Sequence, residues 1–400
     1  MQESMRFLIV SYTFPPEGGI GGRRWAKLVK CLHRVGHSVE VVAATLPADE
    51  ISPWGPDVLG INVYRFATRF PEILTRTPKN TLEKIAYRSA LARLKRRTKG
   101  TPYDRAALDK ESILTLVQGR IKKFKPDVLI ATGAPFDLVH SLIGIQDTAG
   151  IKLKVADFRD PWIGGQAFGY SRLPEARLEF EKKKEAEVVS HYDVITMPWQ
   201  KNIDELAQRH PGHADKLTVL SHFYDEDDVG SKSSVEKKTK FIYGGALYPG
   251  LEKVLANLSE LCFQMKWRFE LFTASDVNPE MLHDYFKAFK PIPSTEFFQR
   301  VKSAEYAILF LPQGNRFGLT KLFEIAACGI PIIAIGEESE LSKEIEKNEL
   351  GKFVEADNLL NKLPDIDRYF GTFDPNMKYV QEKSLSAVTN TLLDLINSKR

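Results

Sequence analysis

The chain has 400 residues, 43% of them apolar, and a formal net charge of +4. That length exceeds one compact core and suits two domains, and the near balance of charge argues against a dedicated nucleic-acid binder. Cys31, Cys262 and Cys328 lie far apart without metal or disulfide spacing, which suits a reducing compartment. The start, MQESMRFLIV, has no signal-peptide core, and no apolar run reaches the roughly 18 residues of a membrane span. A cytoplasmic protein is expected, free or resting on the inner face of a membrane.

In chain order, RFLIVSY (6–12), SVEVVAA (38–44), INVYRF (61–66), PDVLIATG (126–133), LKVADFRD (153–160), YDVITMP (192–198) and LTVLSH (217–222) read as strands. They are Val/Ile/Leu-rich without strict alternation, the pattern of parallel strands buried on both faces. Helical patterns lie between several of them, such as RRWAKLVKCLHRVG (23–36), with Gly36 as its stop. Strand and helix in alternation predict a doubly wound α/β domain over 1–224.

The segment 84–99, KIAYRSALARLKRRTK, holds seven basic residues and no acidic one. Tyr87, Leu91 and Leu94 can share a helical face. The plain reading is a solvated helix packed by that face; the sharper one is a helix resting on anionic lipid or steering an anionic acceptor.

The charged stretch 225–240, DEDDVGSKSSVEKKTK, reads as a linker. A second series follows in FIYGGALY (241–248), WRFELFTA (267–274), YAILFLP (306–312), IPIIAIG (330–336) and GKFVEA (351–356), giving a second α/β domain over 241–378. The tail, 379–400, reads as an amphipathic helix.

Ligands of open α/β sheets bind beyond the carboxyl ends of the strands. At such an end stands SYTFPPEGGIGGRRWAKL (11–28), where Gly18, Gly19, Gly21 and Gly22 precede Arg23 and Arg24. Bare backbone amides, a helix start and arginines form an anion-friendly lip. The glycine spacing is not G-x-G-x-x-G, SVEVVAATL ends without an acidic residue for a ribose, and no Gly-Lys-Ser/Thr follows. The plain alternative is a flexible glycine turn.

A second motif, NRFGLTKLFEIAACGIPIIAIG (315–336), offers Thr320 as a helix cap and Lys321 and Glu324 three residues apart on one face. A cation there neutralises phosphate, and a carboxylate one turn on accepts both hydroxyls of a ribose. The plain alternative is a surface i, i+3 pair. A third motif, ADFRDPWIGG (156–165), ends a strand with Asp157, Arg159 and Asp160, either facing a ligand or forming an internal Arg–Asp brace. In a fourth, ATGAPFDLVH (131–140), His140 reads as a helix-face packing residue.

Together these motifs make the chain resemble GT-B glycosyltransferases, most of all glycosyltransferase family 4. The resemblance covers nearly the whole length. It rests on the opening glycine loop and helix, on DFRDPW, on LSHFYDEDDV (220–229), on FIYGGALYPGLEKVL (241–255) and, most specifically, on GLTKLFEIAACGIPIIA (318–334). It implies two Rossmann-like domains facing across a cleft, the acceptor on the first and the nucleotide sugar on the second, with the last helix crossing back. It also implies retention of anomeric configuration, no metal and no cofactor beyond a UDP- or GDP-sugar co-substrate.

Carried over by resemblance, Glu324 binds the ribose. Gly18, Gly19, Gly21, Gly22, Gly244, Gly245, Leu319, Thr320 and Lys321 complete the donor set. Arg24, Arg159 and Asp160 bind the acceptor, and Asp160, Lys321 and Arg316 act in catalysis. Two departures stand out. Arg316 occupies the place of a Glu eight residues before the helix Glu, and Ala246 and Leu251 replace the Arg and Lys of G-R-L-x-x-x-K-G. Arg316 and Lys321, with Lys253 a weaker candidate, are the cations left for the diphosphate. The expected function is hexosyl transfer to a saccharide or lipid-linked saccharide in cell-surface polysaccharide synthesis. The partners expected are the nucleotide sugar, the acceptor and an anionic membrane surface through 84–99, with no nucleic acid. The alternatives are a GT-B nucleotide-sugar epimerase and a non-catalytic GT-B partner subunit.

Overall fold

The computed structural model describes residues 3–16, 20–46, 52–146, 148–165, 167–230, 236–311, 321–371 and 373–399. The seven strands expected first form one sheet: β1 (Arg6–Ser11), β2 (Ser38–Thr45), β3 (Asn62–Ala67), β4 (Val128–Gly133), β5 (Leu153–Phe158), β6 (Val194–Met197) and β7 (Leu217–Val219). All pair in parallel, in the order β3-β2-β1-β4-β5-β6-β7. Parallel neighbours need long crossovers, and helices supply them. Arg23–Arg34 links β1 to β2, Thr81–Arg97 and Lys110–Phe124 link β3 to β4, and Glu175–His191 links β5 to β6. Gly36 follows the first of these at φ +95°, a backbone state that glycine reaches without strain.

A second parallel sheet holds β8 (Thr239–Gly244), β9 (Phe269–Phe272), β10 (Phe286–Phe289), β11 (Ala304–Phe310), β12 (Ile332–Gly336) and β13 (Gly351–Glu355). Its order, β10-β9-β8-β11-β12-β13, repeats the winding of the first. The sequence reading missed β10. Only Phe286 of its four residues is buried, so no apolar run announces it; it is held at the sheet edge by stacking of Phe286 on Phe269, with ring centroids 4.3 Å apart.

The chain divides into two compact units, Met1–Ser221 with Thr389–Arg400, and His222–Val388. Each has its own core, one around Val10, Leu129, Ala156 and Ile195, the other around Phe241, Ile308 and Ile333. The boundary therefore falls at 221/222, not after 224, and 225–240 is not a continuous linker. Asp225 is buried and caps the short helix Glu226–Val229, and Thr239 and Lys240 already belong to β8. Lys240 Nζ bonds Glu305 and Asp367. Lys240 looks unpartnered in sequence because its partners lie far along the chain, whereas the cap made by Asp225 is local.

The tail is two helices, Met377–Gln381 and Leu385–Lys399. The carboxylate of Glu226 accepts the N–H groups of Leu385 and Ser386 at the start of the second. Its apolar face, Leu385, Val388, Leu392 and Ile396, is buried. Among the described residues no helix is long and apolar enough to cross a membrane. Leu392, fully buried in the part of the tail that belongs to the first unit, is expected to matter out of proportion to its terminal position. Leu392→Ala should destabilise by about 2–5 kcal/mol, read as a lowered urea midpoint.

Candidate functional site

In the second unit the site is built where β8 and β9 end. Gly244, Gly245, Phe272, Thr273, Pro291, Phe297, Lys321 and Glu324 line a cavity of ≈ 290 Å³. Tyr243 Oη donates to Ala246 O at 2.7 Å, and Leu247 N donates to Ser275 Oγ at 2.9 Å, so the loop after β8 is fastened from both sides. Helix Lys321–Ala327 brings Lys321 and Glu324 to the same cavity. Lys321 Nζ donates to Gly244 O at 2.7 Å. Burial pulls the Lys321 ammonium below its ordinary pKa, and the charge of Glu324 opposes that.

Gly244 and Gly245 earn their place by close approach. A Cβ on Gly244 would sit 2.3 Å from the Phe297 ring, and one on Gly245 would sit 2.9 Å from Lys321 Nζ. Phe297 in turn packs edge-on against Phe272. The sequence reading missed these aromatic walls, since an isolated Phe in sequence is indistinguishable from a core residue.

Of the two departures from the resembled pattern, the structure describes the second, at Ala246 and Leu251. Leu251 is a buried core residue leading into helix Glu252–Met265, and the Ala246 carbonyl is the acceptor for Tyr243. Lys253 lines a second cavity of ≈ 420 Å³ together with Glu337 and Glu338 and pairs with Asp357, both side chains exposed. Arg316, Leu319 and Thr320 lie outside the described residues, as do Gly18 and Gly19.

In the first unit the carboxyl ends of β1, β4 and β5 lie level, with Ser11 beside Thr132 and Thr132 beside Asp157. Asp157 is fully buried. It accepts Arg24 Nε at 3.0 Å, Arg24 Nη2 at 3.2 Å, Trp25 Nε1 at 2.8 Å and Thr196 Oγ1 at 2.7 Å. Burial alone raises an acid's pKa; here the Arg24 charge and these hydrogen bonds prevail and hold the carboxyl below the usual range. Arg24 also donates to Leu220 O and Ser221 O. Arg24 is thus a buried brace between Asp157 and the chain at 220–221.

Arg159 is likewise turned inward. It donates to the carbonyls of Gly21, Gly133 and Ala134, and burial lowers its pKa. It ties Gly21 to the turn after β4. Gly21 is under that contact: a Cβ there would lie 3.2 Å from Arg159 Nη1. Gly22 packs against the backbone of Thr13 and Phe14. Asp160 is the acid of this motif that remains half-exposed, with no hydrogen bond or ion pair among the described residues. His140, read as packing, bonds Glu187 at 2.8 Å.

The loop after β5 that carries Asp160 rests on a buried polar cluster. Trp162 Nε1 donates to Glu181 at 3.0 Å, and the Trp162 ring stacks on Phe136 at 4.5 Å. Lys184 pairs with Glu181 and Asp137. Asp104 accepts Tyr170 Oη at 2.6 Å and Asp137 N at 3.0 Å. Burial, followed by the neighbouring charge of Asp137, pushes the Asp104 carboxyl up to about 7.

No family model matches the chain, and no curated protein matches it at a significant level. Solved structures do. A glycosyltransferase from Rickettsia africae aligns over 100% of this chain and 99% of its own, with a TM-score of 0.65 and 12% identity. Anabaena HepE, solved in complex with UDP, aligns over 98% and 100%, with a TM-score of 0.62 and 13% identity. The fold is GT-B. The UDP-GlcNAc 2-epimerase of Neisseria meningitidis, solved with UDP-GlcNAc, shares it at a TM-score of 0.56 and 12% identity over 99% and 100% of the two chains. At such identities the likeness carries the fold alone.

An acid whose pKa rises from 3.8 to about 7 on folding binds more protons folded than unfolded between those values. Its contribution to stability therefore declines as pH rises through that window. Asp104→Asn stays neutral and should lose that decline. Relative to wild type, the variant's melting temperature should improve from pH 4 to pH 7; an offset constant with pH would refute the assignment.

Proposed function

We propose that the chain is a retaining glycosyltransferase. It moves a hexose-type sugar from a UDP- or GDP-sugar to a saccharide or lipid-linked saccharide without a metal, in the synthesis of a cell-surface polysaccharide. The observation that carries this reading is the convergence of Lys321 and Glu324 on the glycine-lined cavity at the ends of β8 and β9. Strand ends in an open parallel sheet are where nucleotides bind. Glu324 accepts the two ribose hydroxyls. Lys321, held at Gly244 O, meets the diphosphate with the backbone of Gly244 and Gly245 around it. Arg316 adds a second cation in this reading.

As the anomeric bond breaks, negative charge accumulates on the departing phosphate. Fixed donors in a partly dry site stabilise that charge more than they stabilise the ground state. The acceptor hydroxyl attacks from the same face and gives its proton to the leaving phosphate oxygen, so no enzyme nucleophile is needed. Asp160 supplies polar contact to the acceptor or reacting sugar. The fold is shared with an epimerase, and the transfer reading is favoured because, among the described residues, Glu324 is the one carboxylate lining the cavity. The basic helix Thr81–Arg97, with Leu82 and Ile85 exposed, rests on the anionic inner face of the membrane in this reading.

Titration calorimetry with UDP and GDP, followed by product analysis with labelled UDP- and GDP-sugars, tests the proposal. Lys321→Ala should lower kcat/KM by about 100-fold; full turnover in that variant would remove Lys321 from the mechanism. Release of an epimerised sugar nucleotide without acceptor would select the epimerase instead. Gly244→Val should abolish nucleotide binding by driving a side chain into Phe297. Adding Phe297→Ala should recover at least part of it, and failure of that rescue in a folded double variant would count against this cavity.

A further inference from the structure

The first unit carries an open groove of ≈ 630 Å³ between β3 and helix Lys110–Phe124. β3 is the sheet edge, paired only with β2. The groove's upper end is rigid. Thr68 Oγ1 donates to Asp109 Oδ2 at 2.9 Å, Arg69 N donates to Asp109 Oδ1 at 2.7 Å, and Tyr12 Oη meets Thr68 Oγ1 at 2.8 Å.

Arg69 and Lys123 are the cations it offers beside one lining carboxylate, Glu111; of the other two lining arginines, Arg65 donates to the carbonyls of Ala44, Phe14 and Pro15, and Arg120 pairs bidentately with Glu40. Arg69 is half-exposed and meets Glu111 only at 3.4 Å, both in solvent. Such a pair is weak and exchanges readily for a better anion. Lys123 is exposed and has no ion pair among the described residues. Arg120 is oriented by the buried Glu40 behind it, at 2.8 Å, and by stacking on the Tyr64 ring at 3.9 Å.

Two further features describe the ligand. The hydroxyls of Ser112 and Thr115, on the groove side of the helix, make no hydrogen bond among the described residues. Gly119 lies inside the same helix, where glycine costs about 1 kcal/mol against alanine. Yet a Cβ at Gly119 would meet nothing within 4 Å. No neighbour requires the glycine; its effect is to keep the groove deep. Solvent-facing cations at Arg69 and Lys123 beside the hydroxyls of Ser112 and Thr115 match a ligand that is both anionic and rich in hydroxyls.

The geometry points to this groove as a binding site for an acidic saccharide, one bearing carboxylate or phosphate groups. On the reading that the first unit takes the acceptor, it assigns an anionic glycan as that acceptor. Guanidinium forks fit either oxyanion, and the test separates the two.

Calorimetry on the full chain uses trigalacturonate, glucose 6-phosphate and neutral maltotriose, each at low and high NaCl. At least one acidic probe should bind, more weakly in high salt, and maltotriose should not; the acidic probe that binds identifies the anionic group. Arg69→Glu with Lys123→Glu should weaken acidic-probe binding by about tenfold or more. Gly119→Leu, which fills the groove without changing charge, should do the same. Both variants should keep the wild-type thermal shift with UDP, which confirms folding. Equal binding of maltotriose, no binding of either acidic probe, or unchanged affinity in both variants would overturn the assignment. Acidic-probe binding without any UDP shift in wild type would instead defeat the glycosyltransferase reading and leave the groove standing.

Discussion

A single buried carboxylate organises the carboxyl edge of the first unit. Asp157 ends β5 in the middle of the sheet, and its charge is sustained there because Arg24, Trp25 and Thr196 all donate to it. Those three residues come from the helix after the glycine loop and from β6. Arg24 then reaches the carbonyls of Leu220 and Ser221, where the first unit gives way to the second. An ion buried this deeply is tolerated only when its partners are fixed. The pair therefore fixes the helix that follows the glycine loop, and Arg159 adds a second tie by holding Gly21 to the turn after β4. With both arginines turned inward, Asp160 is the charge of the motif left to face outward.

The second unit solves a similar problem with fewer charges. Lys321 is anchored on a backbone carbonyl, and Glu324 stands one turn away beside the same cavity. A carbonyl holds an ammonium in place without neutralising it, so the positive charge remains available to an anionic ligand. The aromatic wall of Phe272 and Phe297 closes over Gly244 and gives the cavity its shape. The same fold carries a glycosyltransferase and an epimerase, so the winding of the sheets does not by itself decide the chemistry.

Much of this was legible in the residues alone. Apolar runs marked twelve of the thirteen strands, most plainly the central ones, where burial on both faces leaves a continuous apolar signature. The strand β10 escaped because its four residues, FKAF, are interrupted by Lys287 and make too short a run to read as a strand. Likewise, 225–240 looked like a linker because Asp225 and Lys240 are charged. Their order comes from contacts to the 226–229 helix and to Glu305 and Asp367.

The sequence by itself determined the two-sheet α/β architecture, the glycine loop at a strand end and the Lys321–Glu324 pairing on one helix face, since all three depend on local spacing. Only the tertiary structure decided which charges are spent and which are offered. Arg24 ends paired with the buried Asp157 charge and Arg159 held on three backbone carbonyls, while Asp160, half-exposed like Arg159, has no hydrogen bond or ion pair among the described residues. The cost of burying a charge is settled by partners more than a hundred residues away, and no local pattern records them.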